Sequence, residues 1–304
     1  MVNIHRSSDL ESALKILQQG EMTVIAGGTD VMVHYNSEHG VPDNKYSNVV
    51  SIDNIDSLKE IDIIDINLSE NNNSENHLQI GAMVTLSQLE KHPYVPKILQ
   101  QIIPKMAAPA IRNRATIGGN ICNASPAADT LPALYLLDAK VVLSSFNRER
   151  VVPIEDFILA PGKTVLQGNE LLTSILIPQY DTPLHFYHKV GTRTANALTK
   201  LSVSGVAKIE KSCTNEWILK DWRLAFGAVA PTVVRDRTLE NLIVGQPLDR
   251  LTHPDVTEHL ISSYGQKICP IDDQRSTADY RRNIAIKLMT RWIRQLAMTS
   301  RVKG

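Results

Sequence analysis

Leu10, Ala13, Leu14 and Leu17 recur at helical spacing behind Ser8 and Glu11, a pair that predicts a capping box, and Gly20 is placed to end that helix. Met22 to Ala26 then reads as a short strand, Val49 to Ile52 as a second, and the alternation around Ile61 to Ile66 as a third. A loop over Asn71 to Asn76 leads to a strand at Leu78 to Ala82. Thr85 with Gln88 predicts another capped helix, stopped at His92-Pro93. Pro96 to Met106 predicts a further helix that tolerates Pro104 only near its end.

A short helix precedes the β run Val141 to Leu143, and Leu171 to Ile177 is a strand closed by Pro178. The polar stretch Tyr180 to Pro183 marks a boundary. Beyond it, Phe186 to Val190, Leu201 to Ile209 and Trp217 to Val229 are close enough to pair as an antiparallel sheet. The last helix sets Tyr280, Ile284, Leu288, Trp292 and Leu296 on one side, with Arg281, Arg282, Arg291 and Arg294 opposite. The pattern is mixed α+β, and 304 residues suit two packed domains.

Lys+Arg and Asp+Glu both number 32, so no net field draws the chain to nucleic acid or anionic lipid. Aromatics at 5% leave little for a base-stacking surface. The N-terminus has no apolar export signal and no stretch reaches membrane-spanning length, so a soluble cytoplasmic protein is expected. Cys122, Cys213 and Cys269 stand far apart, which argues against a disulfide framework or a thiolate-ligated cluster built by this chain alone. His185 and His188 form the one close histidine pair, without a third ligand, so no metal site is expected. No catalytic side chain is nominated, and a bound cofactor is the natural carrier of any chemistry.

Two segments offer such a cofactor a home. In Val24-Ile25-Ala26-Gly27-Gly28-Thr29-Asp30-Val31 a strand enters paired glycines, whose successive N–H groups can form a concave anion site. The same residues equally suit a plain strand-to-turn with Asp30 in an Asx turn. In Thr116-Ile117-Gly118-Gly119-Asn120 a second Gly-Gly pair again offers backbone amides. A tight loop with Ser125 capping a helix from Pro126, and Asp129 in its first turn, accounts for this region as well. Neither loop is G-x-G-x-x-G, so a Rossmann site is disfavoured and the residues point to a large phosphorylated cofactor.

The pattern A-G-G-T-D, followed by I-R-N-x-A-T-x-G-G-N-I-C-N over Ile111 to Asn123, resembles the FAD-binding subunits of the xanthine dehydrogenase family of molybdenum hydroxylases. Leu224 to Thr232 and Thr277 to Arg282 resemble that family's C-terminal domain, so the likeness spans the chain. It implies a PCMH-type FAD fold over residues 1–180, with subdomains of about 1–56 and 57–180, and a C-terminal flavoprotein domain over 181–304 carrying a three-stranded antiparallel sheet and helices. It implies non-covalent FAD, with Val24 to Val31 around the diphosphate and Thr116 to Asn120 near the ribityl–phosphate region. Asp129 would meet a polar arm of the flavin nucleotide, Leu172 an apolar face, and Lys189 the flavin from the C-terminal domain. On the residues alone, Lys189 reads as a solvated strand lysine. Met106 and Asn196 depart from the aromatic and the acid found in some xanthine-type enzymes. The implied partners are a molybdopterin-binding large subunit and a [2Fe–2S] small subunit, in a heterotrimer or its dimer, with NAD⁺ as acceptor. Sister enzymes acting on nicotinate, an aldehyde or carbon monoxide are the alternative. A free-standing PCMH-type flavin oxidase is a further one.

Overall fold

The computed structural model describes residues 2–33, 47–66, 75–193 and 197–302, so Asn196 and most of the loop expected at Asn71 to Asn76 lie outside the described residues. The chain divides into two units. One comprises residues 1–95, 106–125 and 138–179; the other comprises 96–105, 126–137 and 180–304. A break thus falls at Gln179–Tyr180, but two short stretches from the N-terminal half belong to the second unit.

In the first unit, β1 (Asn3–Arg6), β2 (Thr23–Ile25) and β3 (Asn48–Ser51) form a parallel sheet in the order β1-β3-β2. The crossover helix Leu10–Leu17 buries Ala13, Leu14 and Leu17 against Val50, Ile52 and Ile55. Its cap is Asp9, not Ser8: the extended Asp9 accepts the Ser12 N–H at 2.8 Å. Glu11 pairs with Lys15 at 2.7 Å instead of closing a capping box. A charged carboxylate at the cap is the stronger acceptor, which is why it displaces the neighbouring hydroxyl.

The rest of this unit is an antiparallel sheet of β4 (Ile61–Ile66), β5 (Glu75–Gly81), β6 (Lys140–Ser145), β7 (Arg148–Pro153) and β10 (Leu171–Pro178), ordered β4-β5-β10-β6-β7. A small hairpin, β8 (Ile158–Ala160) and β9 (Lys163–Thr164), accompanies it. The central strand β10 is buried along its whole length, as its near-continuous Leu and Ile run requires. Thr85 and Gln88 make the expected capping box before helix Leu86–Lys91.

The second unit is built on β11 (Leu184–Val190), β12 (Leu201–Lys211) and β13 (Trp217–Gly227), paired antiparallel in sequence order. A two-residue β14 (Val234–Arg235) adds a fourth strand to the three expected. Phe186, Trp222, Phe226, Tyr264 and Trp292 are the aromatic side chains of its core. Helix Thr130–Leu136 is buried at every residue, which explains why residues 126–137 leave the first unit. Its terminal carbonyls are satisfied by arginines of the sheet: Arg223 Nη1 donates to Leu136 O at 2.7 Å and Arg235 Nη1 to Tyr135 O. The final helix, Ala278–Val302, corrects the expected division of its faces. Arg281 is 4% exposed and ion-paired with Asp273, whereas Tyr280 is 42% exposed beneath Lys200.

Candidate cofactor-binding site

The two Gly-Gly segments meet within the first unit. A Cβ built on Gly27 would fall 1.8 Å from Arg114 O and 3.3 Å from Ala115 Cα, so glycine is required for this close approach. Gly28 has φ +73°, a conformation that bends the chain after β2. The Gly28 carbonyl accepts from Met32 N–H at 3.2 Å. Among the described residues nothing accepts a hydrogen bond from the N–H groups of Gly27, Gly28 or Thr29. Three consecutive unspent donors around a left-handed glycine make a concave anion-binding turn. Val24, Ile25 and Ala26 are half-buried on the approach, and Asp30 is exposed at the far side, with Val31 half-buried.

The second segment is built differently from the expectation. Thr116 caps helix Ile117–Cys122 through Gly119 N–H, which donates to its Oγ1 at 3.1 Å. Ile117 N–H donates to Val84 O, Gly118 N–H to Ala82 O and Asn120 N–H to Thr116 O, each at 3.0 Å. The amides of Ile117 to Asn120 are therefore consumed inside the protein and are not offered to a ligand. Gly118 is needed because a Cβ there would lie 2.8 Å from Ala82 O. Gly119, which is exposed, and the half-buried Asn120 are the parts of this turn that face outward. Ser125 caps no helix at Pro126; the next helix begins at Thr130. Leu172 is 2% exposed, a core residue of β10 beside the bulge between Leu172 and Ser174.

Asp129 and Lys189 come together in the second unit. Lys189 Nζ donates to Asp129 Oδ2 at 2.7 Å and to Lys105 O at 3.1 Å. Asp129 Oδ1 accepts from Tyr187 Oη and from Thr199 Oγ1, both at 2.9 Å. Both charged side chains are under 10% exposed, so Lys189 is not a solvated strand lysine. Although Asp129 stands at the N-cap position of helix Thr130–Leu136, its side chain makes no cap bond there. Burial, then the Asp129 charge, pushes the Tyr187 hydroxyl well above its ordinary value, which keeps it protonated as the donor. Tyr187 and Thr199 were absent from the candidate residues drawn from the sequence. The signal for Tyr187 was its place two residues before Lys189 on one strand, which puts both on the same face.

Residues 1–180 match the family described as FAD binding domain in molybdopterin dehydrogenase, and residues 186–296 match the CO dehydrogenase flavoprotein C-terminal domain. The chain belongs to this family. It is an FAD subunit of the molybdenum hydroxylase family, an oxidoreductase component. Among relatives, it is 28% identical over 295 residues to the xanthine dehydrogenase FAD-binding subunit of Escherichia coli O157:H7, covering 94% of this chain and 92% of that one. It is 29% identical over 249 residues to the nicotinate dehydrogenase FAD-subunit of Eubacterium barkeri, covering 79% and 78%. Its fold is that of a chain of the carbon monoxide dehydrogenase from Hydrogenophaga pseudoflava, with TM-score 0.79 and 23% identity over 95% of both chains. Among the described residues no helix is long and apolar enough to cross a membrane.

The donor set fits the cofactor this family binds. Free amides at Gly27, Gly28 and Thr29 suit the diphosphate of FAD, which is the anionic centre of a molecule extended on either side.

Proposed function

We propose that this chain is the electron-transfer subunit of a xanthine dehydrogenase-type molybdenum hydroxylase. In this reading it receives electrons from [2Fe–2S] clusters on a small partner subunit and delivers them through FAD to NAD⁺. Molybdopterin belongs to a large partner subunit, and the three assemble in the cytoplasm as a heterotrimer or its dimer. Support comes from the xanthine dehydrogenase and nicotinate dehydrogenase FAD subunits, each aligned over most of its length. The observation that carries the flavin part is the run of unspent amides at Gly27 to Thr29.

The residues of this chain bind and orient; FAD, when bound, supplies the redox chemistry. Val24 to Val31 hold the diphosphate through the amides of Gly27 to Thr29, with the Thr29 hydroxyl as a further donor. Thr116 to Asn120 contribute the outward surface of Gly119 and Asn120. Leu172 contributes indirectly, by packing the strand in which it is buried. Asp129 and Lys189 are proposed flavin contacts that act as one neutral pair, because each already satisfies the other. Substituting Lys189 would then remove the hydrogen bond that positions Asp129 and leave that carboxylate without its counter-charge.

Co-purification from the native source tests the assignment. A molybdenum protein and an iron–sulfur protein should accompany the chain in stoichiometric amounts. Stopped-flow mixing of the FAD-loaded chain with NADH should bleach the flavin, without hydroxylation of xanthine by the chain alone. The nicotinate dehydrogenase likeness supports a second reading, the same subunit in a sister hydroxylase. Substrate screening of the assembled enzyme separates the two. A chain that oxidises a small organic substrate without partners would overturn both in favour of a free-standing oxidase.

A further inference from the structure

The second unit contains a cavity of about 470 Å³ lined by His185, Phe186, His188, Arg291, Trp292 and Gln295, among others. It shares no residue with the turns at Val24 to Val31 and Thr116 to Asn120. Its volume is that of a small-molecule site. Phe186 and Trp292, 7% and 4% exposed, stack on each other with ring centroids 5.4 Å apart at 22° and add a small apolar surface to the lining.

Among the described residues Arg291 is the only lysine, arginine, aspartate or glutamate that lines it, and the buried Asp129–Lys189 pair lies behind Tyr187 of the same lining. Burial, then Lys97, holds the His185 imidazole below its ordinary value; burial, then Arg291 and Lys105, does the same for His188. The groups that act on these imidazoles therefore come from the stretch of Lys97 to Lys105 and from the final helix, and all are cations. Among the described residues no carboxylate lines the cavity. Among the described residues Arg291 makes no ion pair, and neither does Lys105, which stacks its ammonium 4.9 Å from the Tyr187 ring centroid. A cation in the lining, with two further lysines close to the histidines, favours anions at a concave surface. An unpaired guanidinium at the rim presents a planar fork that matches carboxylate or phosphate oxygens.

We propose that this cavity binds a small organic anion, a planar ring bearing a carboxylate or phosphate, with the anionic group on Arg291 and the ring against Phe186 and Trp292. The two histidines tune the site. Near neutral pH they are uncharged and act as hydrogen-bonding walls. As pH falls they take up protons, and a bound anion favours that uptake, so affinity rises on acidification.

Calorimetric titration of the FAD-loaded full chain with phenyl phosphate tests the proposal. Phenol and inorganic phosphate serve as half-ligands. Saturable one-to-one binding of phenyl phosphate is expected, tighter than either half-ligand, several-fold tighter at pH 6 than at pH 7.5, and weakened by salt. Arg291→Gln, at an exposed position, should weaken it at least tenfold without changing flavin content. His188→Gln should remove much of the pH dependence. Absence of saturable binding at both pH values, or equal affinity in the wild type and Arg291→Gln, overturns the proposal. Equal binding of phenol and phenyl phosphate overturns the anionic assignment.

Discussion

Replacing Gly27 by alanine adds one methyl group at the point where the first glycine turn touches the second segment. That methyl carbon would lie 1.8 Å from Arg114 O, 2.7 Å from Arg114 C and 3.3 Å from Ala115 Cα. Ordinary contact begins at 3.4 Å, so the two backbones must part by about 1.6 Å. Neither neighbour is a flexible side chain that could swing aside. Overpacking of this kind costs about 1–3 kcal/mol in protein interiors, and rigid backbone on both sides puts this site at the upper end. Displacement of the turn also carries off the amides of Gly27, Gly28 and Thr29. Each charge-assisted hydrogen bond lost is worth about 1.5–3 kcal/mol, so losing two weakens FAD binding by roughly a hundredfold or more. Gly28→Ala meets no close atom but must hold φ +73°, a strain of about 1–2 kcal/mol, and should have a smaller effect. Gly168→Ala faces open space and serves as the control. The assay is fluorescence titration of the apoprotein with FAD, beside thermal melting of each apo variant. If Gly27→Ala binds FAD as tightly as Gly168→Ala, the turn does not hold the diphosphate and the reasoning is wrong.

Asp129→Asn leaves the Lys189 ammonium buried without its counter-charge, and the apoprotein should lose about 3–5 kcal/mol in denaturant unfolding. Tyr187→Phe removes one hydrogen bond to the same carboxylate and should cost less, about 1.5–3 kcal/mol. His185 and His188 bind protons less readily folded than unfolded, so their contribution to stability is complete above about pH 6.5 and is lost as pH falls through their lowered values. The double variant His185→Gln/His188→Gln should flatten stability against pH in that range, and an unchanged slope would count against the assignment. The Arg281 guanidinium holds the Asp273 carboxyl at about 2 against an ordinary 3.8, so this contact stabilises the fold above pH 3.8 and fades towards pH 2. Acid unfolding of Asp273→Asn should lack that component.

Periodicity carried most of the architecture. The β-rich runs Phe186 to Val190, Leu201 to Ile209 and Trp217 to Val229 follow one another closely enough to predict pairing, and they do pair antiparallel in sequence order. The Thr85–Gln88 box was equally plain, because both its partners lie within one turn of chain. What local pattern could not show were choices decided by distant partners. Arg281 looks like its neighbours Arg282 and Arg291 in sequence, yet Asp273 draws it into the interior. Nothing near Thr130 to Leu136 reveals that Arg223 and Arg235 will cap that helix from the second unit's sheet. At the candidate site, the glycine pairs were legible as places of close approach, but what approaches was not. At Gly118 it is Ala82, and the amides of Ile117 to Asn120 turn to their own backbone. The union of Asp129 with Lys189, sixty positions apart, likewise depends on β11 and the residues around helix Thr130–Leu136 sharing one unit.

The function proposed for this chain rests on non-covalent binding of FAD by the turn at Gly27 to Thr29. Acid denaturation of the purified chain, followed by chromatographic identification of the released flavin, tests it most directly. Close to one FAD per chain should be released without proteolysis, and none should come from Gly27→Ala. Release of FMN, flavin that stays attached to the denatured chain, or a chain that takes up no FAD on reconstitution would contradict it.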